Sequence, residues 1–453
     1  MKKILSLFAI TALCLSAVSC EDLFKKIEEI VPVPVAVQLV CEGEAFPVAD
    51  ITVTIADQAG TFSVEEKTEE GGIAIFSVKP GIYTASATYT TSENGQRLAY
   101  TGATAAFEVS LANASEEPVQ LDLKKVASQQ IVVKELYTTG CPSNDGSSST
   151  ANDAYVILYN NSDIDADASN VVFGFLAPYN AHGTNKYYVG GGEGEEPSHL
   201  LYENDSWIPS YGAIWWFTAP VTIPAYSQIV VSIFGAIDFT QTYTNSVNLA
   251  NPEYYWMSNS EINPPYTNAK YTASDVIPSD HYLTCSPFTQ GNAWAISNMC
   301  PAFFIGNMPK AEVEALSKNT EAYDHTLGTS AAMNVVKFPK ANVIGAVEVW
   351  SSANIEKSNV RFPSDINTGY VAIANKLGYT VYRNVDAAAT EALPENAGKL
   401  VYNYAGALDE AEGITGEKGI DAEASIANGA HIIYKQTNNT ANDFHIRKVS
   451  SLK

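Results

Sequence analysis

The chain has little charge, and most of that charge is negative. Charged residues make up 17% of its 453 residues, whereas a typical globular protein has about 25%. Acidic residues number 50 and basic residues 26, which gives a formal net charge of −24. Phosphate backbones and anionic lipid headgroups are bound by clustered lysines and arginines. The composition therefore excludes nucleic acid as a partner and argues against electrostatic docking on a membrane.

Catalytic motifs are missing as well. The sequence contains no H-E-x-x-H, no G-x-S-x-G and no phosphate-binding G-x-x-x-x-G-K-[ST]. The histidines are widely scattered, at positions 182, 199, 281, 325, 431 and 445. We therefore expect no enzymatic activity, no metal and no cofactor. A metal-dependent hydrolase stays open only if His281 and His325 meet several carboxylates in one cleft.

Cysteine is scarce, and no pair has the C-x-x-C spacing of a zinc ribbon or a thioredoxin-type site. Two of the cysteines lie in the first twenty residues. The others are Cys41, Cys141, Cys285 and Cys300. If one disulfide forms, we expect Cys285–Cys300, the pair closest in sequence, with buried free thiols as the alternative.

The N-terminus has the pattern of a bacterial signal peptide. Lys2 and Lys3 precede an apolar stretch over residues 4–15, which is shorter than the roughly 20 residues that span a bilayer. The following residues, Ala17-Val18-Ser19-Cys20, resemble a lipobox, although Ala17 replaces the usual leucine. The resemblance implies a signal peptide over residues 1–19 and lipidation of Cys20. An ordinary cleaved signal is the alternative.

The residues after Cys20 indicate the cellular location of such a lipoprotein. Glu21 and Asp22 resemble the surface-export signal of lipoproteins in the Bacteroidota. This implies an outer-membrane lipoprotein at the cell surface, with the periplasmic face as the alternative. Residues 20–34 are predicted to be the lipidated tether. No later stretch is apolar enough to cross a membrane, so the lipid is the expected anchor.

Residues 35–126 alternate apolar and polar positions, as half-buried strands do. Val35, Val37 and Leu39 alternate, as do Ile51, Val53 and Ile55, and Gly- and Pro-containing turns separate the runs. The turn Pro80-Gly81-Ile82-Tyr83 and the strands around it resemble a carboxypeptidase-regulatory-like (transthyretin-like) β-sandwich. Such modules are spacers or interaction domains. Residues 127–130 are a plausible hinge.

Residues 130–453 carry the motifs of a second β-sandwich. The strand at residues 154–163, ending Asn160-Asn161-Ser162-Asp163, resembles a strand of lamin-tail-like immunoglobulin sandwiches, with Ile157 in place of their usual Glu. Residues 437–444 resemble the closing strand of the same domains. With landmarks at 221–231, 248–254 and 420–426, the region resembles an uncharacterised family of Bacteroidota lipoproteins, domain of unknown function 4876.

The expected fold is therefore all-β, with two β-sandwich domains. The N-terminal domain is transthyretin- or immunoglobulin-like, and the C-terminal one is lamin-tail-like. Residues of about 180–345 exceed what a minimal sandwich needs and contain Gly-rich acidic segments. They are predicted to be long inserted loops, which are commonly functional. The family resemblance supplies no catalytic residues.

Clustered aromatic side chains are the strongest binding candidates, because exposed rings stack on sugars, haem or planar siderophores. Trp215, Trp216 and Phe217 are expected to pack in the core instead. The predicted ligand-binding residues are Trp207, Tyr211, Tyr254, Tyr255, Trp256, Tyr266 and Tyr271.

Together these patterns predict a surface-exposed outer-membrane lipoprotein that binds without covalent chemistry. The setting of the family resemblance implies a TonB-dependent nutrient or iron uptake receptor as partner, and an unknown glycan, haem or siderophore-like ligand. An adhesin or structural surface lipoprotein is the first alternative, and the metal-dependent hydrolase is the second.

Overall fold

The structure, a computed structural model, describes residues 31–57, 62–93, 96–111, 117–192, 195–258, 274–287, 296–319, 323–325, 334–411 and 413–453. The chain divides into two compact units, Met1–Ser128 and Gln129–Lys453. The division falls within the segment 127–130 that the sequence marks as a hinge. None of the helices in the described part of the chain has the length and apolar character needed to cross a bilayer.

The regular elements of the first unit, within the residues that the structure describes, are strands. They are β1 (Val33–Cys41), β2 (Glu44–Ala45), β3 (Thr52–Asp57), β4 (Ser63–Lys67), β5 (Ile73–Val78), β6 (Gly81–Glu93), β7 (Gln96–Ala103), β8 (Phe107–Val109) and β9 (Val119–Gln129). The strand order is β2-β1-β9-β7-β6-β3-β4, with β5 paired to β1 and β8 paired to β6.

One apolar core lies inside this unit. Val37 of β1, Phe76 of β5 and Leu121 of β9 pack in the same cluster as Ile55 of β3 and Tyr100 of β7. The two ends of the hydrogen-bonded sheet therefore face a common interior. The apolar positions of the period-two runs point inward, as the alternation of the sequence predicts.

The second unit has more strands. They are β10 (Ile131–Tyr137), β11 (Cys141–Pro142), β12 (Ser149–Thr150), β13 (Tyr155–Asn160), β14 (Ala166–Asp167), β15 (Val171–Phe175), β16 (Tyr188–Val189), β17 (His199–Leu200), β18 (Trp207–Tyr211), β19 (Ala213–Phe217), β20 (Thr222–Ile223), β21 (Gln228–Ser232), β22 (Tyr255–Trp256), β23 (Leu283–Pro287), β24 (Ala302–Asn307), β25 (Tyr323–His325), β26 (Asn334–Pro339), β27 (Val343–Ser351), β28 (Val371–Ile373), β29 (Thr380–Arg383) and β30 (Phe444–Arg447).

The helices described in this unit are short. The α-helices are α1 (Lys310–Lys318), α2 (Ala387–Glu391), α3 (Ala422–Ala427) and α4 (Thr440–Asp443). Short 3₁₀ segments cover Phe239–Gln241, Ser279–His281, Lys340–Asn342, Ser352–Lys357 and Pro394–Asn396. The unit as a whole is therefore built on strands, as the composition predicts.

Two six-stranded sheets form the sandwich of this unit. Sheet 1 has the order β22-β21-β13-β10-β29-β30, and sheet 2 has the order β23-β19-β15-β24-β27-β28. Their facing sides share one core: Val133, Leu136, Val156, Leu158 and Val231 come from sheet 1, and Phe173, Phe175, Trp215, Phe303 and Val347 come from sheet 2. This confirms the predicted all-β fold class.

Each sheet is also covered on its outer face. Val172, Trp216 and Phe304 of sheet 2 pack with Phe338 of β26 and Val313 of α1. On sheet 1, one cluster joins Val132, Tyr159 and Tyr382 to Ile420, Ile432 and Tyr434, and another joins Tyr155, Ile157 and Val230 to Phe239, Val247 and Leu249. Every residue of β10, β13, β15 and β19 is consequently buried.

The expectation of long inserted loops over residues 180–345 is wrong for much of that region. It supplies β19, β21, β23 and β24 of the two sheets and the covering strands β18 and β26. The sequence hides these strands because several are short and buried on both faces, so they lack the alternation that marks a half-buried strand. The predicted helix after Pro309 is confirmed as α1.

The candidate disulfide is not formed. Cys285 lies on β23 in the core between the sheets, whereas Cys300 lies in a separate cluster with Ala181 and Trp350. The Cys300 Sγ is 3.6 Å from the His182 Nδ1 and 3.5 Å from the Asn180 Oδ1. Proximity in sequence misled the prediction, because the chain carries the two thiols into different packing environments.

Buried polar side chains bind the covering segments to the sheets. The Arg361 guanidinium, fully buried, donates to the Glu348 carboxylate of β27 at 2.6 Å and to the carbonyl oxygens of Pro178 and Cys300. The Asn161 amide donates to the Tyr434 carbonyl oxygen at 2.9 Å and accepts from the Tyr434 N–H at 2.7 Å. Asn161 therefore satisfies both backbone groups of a residue in the segment that covers sheet 1.

Asn161→Ala should destabilise the second unit, because it leaves the buried N–H and C=O of Tyr434 unpaired. Each orphaned group costs on the order of 1–3 kcal/mol, so we expect a loss of about 2–4 kcal/mol. All six tryptophans lie within residues 207–350, so tryptophan fluorescence during urea unfolding reports on this unit alone. Asn170→Ala, at an exposed position, is the control. Equal midpoints for the two variants would contradict the role of Asn161.

Candidate binding site

The predicted aromatic residues separate into two places instead of forming one platform. The Tyr211 ring packs against Phe175 at 5.6 Å, beside the start of β19. The Tyr255 ring packs against Phe217 at 5.0 Å, at the other end of β19. The side chains of Tyr266 and Tyr271 lie outside the described residues. The two groups are therefore candidates for two separate contacts.

The core assignment of the central aromatic run is confirmed. Trp215, Trp216 and Phe217 are 0%, 2% and 3% exposed. Trp215 and Phe217 point into the core between the sheets, and Trp216 points to the opposite face of sheet 2. None of the three is available to a ligand.

Trp207 and Tyr211 lie on β18, and both are only partly exposed. The Trp207 ring packs 5.8 Å from Tyr202, and the Lys337 ammonium lies 4.9 Å from its centre. The Lys337 cation thus already lies over the ring as a cation–π pair. Trp207 and Tyr255 therefore each have a ring face in contact with a neighbour, but Tyr255 has the exposed carboxylates of Glu253 and Asp280 beside it.

Tyr254, Tyr255 and His281 form a partly exposed group, which we call the Tyr255–His281 patch. The Tyr255 and His281 rings are stacked, with centroids 4.4 Å apart and planes at 18°. Trp256, also predicted as a ligand residue, is instead 2% exposed and packs against Tyr282. Sequence order alone could not tell which of three adjacent rings faces inward.

One hydrogen bond fixes the orientation of the His281 ring. Its Nδ1 lies 3.1 Å from the Tyr254 carbonyl oxygen. A carbonyl oxygen only accepts, so Nδ1 carries the proton and Nε2 of the neutral ring is an acceptor. Glu253 and Asp280 are exposed beside the patch. Burial is the largest cause that raises the pKa of Tyr255, and the charges of Asp280 and Glu253 raise it further. The patch therefore combines aromatic faces with hydrogen-bond acceptors.

A second group of functional side chains covers the outer face of sheet 1, and the sequence analysis missed it. The fully buried Lys134 ammonium pairs with the Glu423 carboxylate at 2.7 Å. The Tyr382 hydroxyl donates to Glu423 at 2.6 Å and lies 3.0 Å from the Tyr434 hydroxyl. Burial raises the pKa of Glu423, but Lys134 opposes it and the net shift is downward. The carboxylate is thus kept ionised.

A narrow cleft opens beside this network. Tyr382, Arg383, Tyr404 and His445 line it together with the apolar side chains of Ile414 and Ile420. The signal that could have revealed it is in β30, where His445 and Arg447 occupy alternate positions of a strand and so share a face. Nothing in the sequence shows that Tyr382 and Tyr404 meet them.

His445 is neutral in this cleft. Its Nδ1 lies 2.7 Å from the Asn384 Oδ1, and its Nε2 lies 2.8 Å from the Tyr404 hydroxyl. Because the Asn384 amide nitrogen donates to the Asn442 carbonyl oxygen, its Oδ1 must accept, so Nδ1 carries the proton and Nε2 accepts from Tyr404. Burial and the Arg447 charge lower the pKa of His445 to about 3.

The metal-dependent hydrolase alternative requires His281 and His325 to meet several carboxylates in one cleft. No group of three or more His, Cys, Asp or Glu side chains in the described part of the chain could hold a metal ion. His281 stacks on Tyr255, and the side chain of His325 lies outside the described residues. The hydrolase hypothesis therefore gains no support from His281.

The comparisons with known proteins find one family model that matches part of the chain. Residues 226–405 match the profile of a family described as a protein of unknown function, DUF4876. This confirms the predicted family resemblance over those residues. The predicted resemblance of residues 35–126 to carboxypeptidase-regulatory-like domains stays a prediction. No curated protein matches the chain.

Among solved structures, the chain is similar to a DUF4876 family protein from Bacteroides thetaiotaomicron VPI-5482. The identity is 16%, the TM-score is 0.53, and 91% of this chain and 94% of that chain are covered. A candidate adhesin from Bacteroides ovatus ATCC 8483 has 10% identity, a TM-score of 0.17 and coverage of 58% and 98%. The major pilin subunit of Bacillus cereus has 11% identity, a TM-score of 0.16 and coverage of 76% and 99%. Of these three structures, only the DUF4876 family protein is similar enough to support the all-β fold of this chain.

His445 should make the second unit sensitive to acid. Its pKa is 6.5 when unfolded and about 3 when folded, so between these values the unfolded chain takes up a proton that the folded chain refuses. Stability therefore falls as the pH drops below about 6.5, by about 2 kcal/mol between pH 7 and pH 5. His445→Gln should lack this loss of stability between pH 7 and pH 5, although the variant should be less stable than wild type at pH 7.

The measurement is urea unfolding at pH 7 and pH 5, again followed by tryptophan fluorescence. The exposed His199, changed to Gln, controls for the loss of one imidazole and should follow the wild-type pH dependence. Parallel pH profiles for wild type and His445→Gln would show that His445 does not resist protonation.

Proposed function

We propose that the chain is a non-catalytic binding protein, held at the outer-membrane surface by lipid on Cys20, whose Tyr255–His281 patch binds a neutral glycan. The observation that carries the proposal is the stacked, partly exposed Tyr255–His281 pair with the His281 Nε2 left as an acceptor. Stacked rings present a rigid apolar face at little entropic cost. Among the described residues, no metal-binding cluster competes with this interpretation.

The charges around the patch favour a glycan over haem or a siderophore. Glu253 and Asp280 are both exposed beside Tyr255, and the chain carries a net charge of −24. Haem propionates and other anionic groups are repelled by such carboxylates. Sugar hydroxyls instead donate to them, while the apolar face of the sugar ring stacks on the aromatic face. Neutral oligosaccharides therefore match both features of the patch.

The partner proposal rests on the N-terminal sequence. A lipobox followed by Glu21 and Asp22 supports a surface lipoprotein, and the family resemblance supports a TonB-dependent uptake receptor as its partner. An accessory protein of this kind would hold glycan near the receptor. An adhesin would carry the same anchor and the same patch, but it would need no receptor.

The anchor and the partner can be tested together. The mature chain should carry diacylglycerol on Cys20, be labelled by a membrane-impermeant reagent on intact cells, and retain a TonB-dependent receptor when purified from detergent-solubilised outer membranes. Cys20→Ala should lose the lipid and the surface label, because no other anchor is predicted. Surface labelling without any receptor would favour the adhesin. A wild-type protein that is secreted without lipid would refute the proposed location at the outer-membrane surface.

The patch can be tested separately on purified protein with starch, xylan and galactomannan as neutral probes and hyaluronan as an anionic one. At least one neutral glycan should bind, and Tyr255→Ala should weaken its binding about tenfold or more, because the stacking face is lost. Tyr255→Phe should retain binding, since it keeps the ring. Tyr402→Ala removes a comparably exposed ring elsewhere and is the control. Binding that survives in Tyr255→Ala, or binding of hyaluronan alone, would refute the site.

A further inference from the structure

Lys134 is the extra residue of a β-bulge, and the bulge turns its side chain to the outer face of sheet 1. The register between β10 and β13 shifts between Val133 and Glu135. Val133 and Leu136 both point into the core between the sheets. Lys134 and Glu135 therefore both point outward, whereas an unbroken strand would turn one of them inward. Bulges re-aim side chains in this way and are common beside functional sites.

An amine, an amide and a carboxylate meet at the end of this lysine side chain. The Lys134 Nζ lies 2.6 Å from the Gln228 Oε1 and 2.7 Å from the Glu423 Oε1. The Gln228 Cδ is bonded to its oxygen at about 1.2 Å, so it lies within about 3.8 Å of the Nζ. Reacting atoms in a near-attack arrangement are about 3–3.5 Å apart. A small side-chain movement therefore brings the amine nitrogen onto the amide carbon.

The surroundings shield the lysine from water and place a base beside it. Lys134 is fully buried, and its Nζ lies 5.8 Å from the Tyr382 ring centre and 5.9 Å from the Tyr434 ring centre. The Glu423 carboxylate contacts the same Nζ and can take up its proton, as a general base does. The Tyr382 hydroxyl donates to this carboxylate at 2.6 Å and holds it in place. A lysine that has lost its proton is a nucleophile.

The glutamine side of the contact is open to solvent. Gln228 is the first residue of β21 and is exposed, so a small group released from its amide can reach water directly. Burial of the lysine charge costs free energy even when the charge is paired. Conversion of Lys134 to a neutral amide removes that buried charge. Both features favour a bond between the two side chains.

From this arrangement we propose that Lys134 and Gln228 join through an isopeptide bond, in a single reaction within the chain that Glu423 catalyses as acid and base. Glu423 takes one proton from the Lys134 ammonium, and the amine lone pair forms a bond to the Gln228 Cδ. Glu423 passes that proton to the Gln228 Nε2 and accepts a second proton from the Nζ, while the Cδ–Nε2 bond breaks. Ammonia leaves and carries the second proton away. Overall one ammonium ion is released, and Glu423 is again a carboxylate.

The bond ties β10 to β21 across β13, which lies between them in sheet 1. Lys134 and Gln228 are 94 positions apart in the sequence, so the bond closes a long loop that stays closed when the chain unfolds. A cross-link of this kind restricts the unfolded chain as a disulfide does. The reaction occurs once per chain and is independent of the Tyr255–His281 patch.

Mass spectrometry of the purified full chain tests the bond directly. After digestion with a protease that cuts at Glu and Asp, the wild type should yield a branched peptide that contains Lys134 and Gln228 and lacks the mass of one ammonia molecule. The denatured wild type should also migrate faster on a gel than Gln228→Ala, because its loop stays closed. Gln241→Ala removes another exposed glutamine and is the control, which should keep the branched peptide.

Glu423→Gln should lose the branched peptide, because the neutral amide cannot take up the lysine proton. Tryptophan fluorescence and circular dichroism establish that each variant is folded. If Glu423→Gln does not fold, Glu423→Asp, which draws the carboxylate back by one methylene, should form the bond in a smaller fraction of molecules. A wild type without the branched peptide would overturn the proposal, as would conversion of Gln228 to Glu without a link. A bond that forms completely in the Glu423 variants would overturn the assigned mechanism.

Discussion

Both sheets of the second unit are covered on both faces, and most other features of this unit follow from that constraint. A strand buried on both sides cannot place polar side chains in water, so each polar group must find a partner inside the protein. The Glu348–Arg361 pair, the bonds of Asn161 to Tyr434 and the Lys134–Glu423–Tyr382 network are three solutions to this problem. Each lies where a covering segment meets a sheet.

The sequence predicts what is local and misses what depends on distant coverage. The alternation of Ile51, Val53 and Ile55 reveals a half-buried strand because one face meets water. In contrast, β19 and β24 lie in the region predicted to be loops, because strands buried on both faces show no alternation. The Asn160-Asn161 motif was recognised by resemblance, yet only the fold shows that Asn161 meets the backbone of Tyr434.

The candidate sites show the same limit. Aromatic clustering indicates Tyr255, which is partly exposed, but its stacking partner His281 comes from a separate 3₁₀ turn, and the adjacent Trp256 turns inward. The buried network on sheet 1 could not be predicted from the sequence either, because Lys134 pairs with Glu423, which comes from a distant segment of the chain.

Charge at the surface of this acidic chain and charge in its interior are set in different ways. At the exposed Tyr255–His281 patch, Glu253 and Asp280 add to the overall negative field. On the outer face of sheet 1, the fully buried Lys134 pairs with Glu423 and keeps that carboxylate ionised. Local pairing and desolvation therefore determine the charge at each place, and the net charge of −24 alone does not predict it.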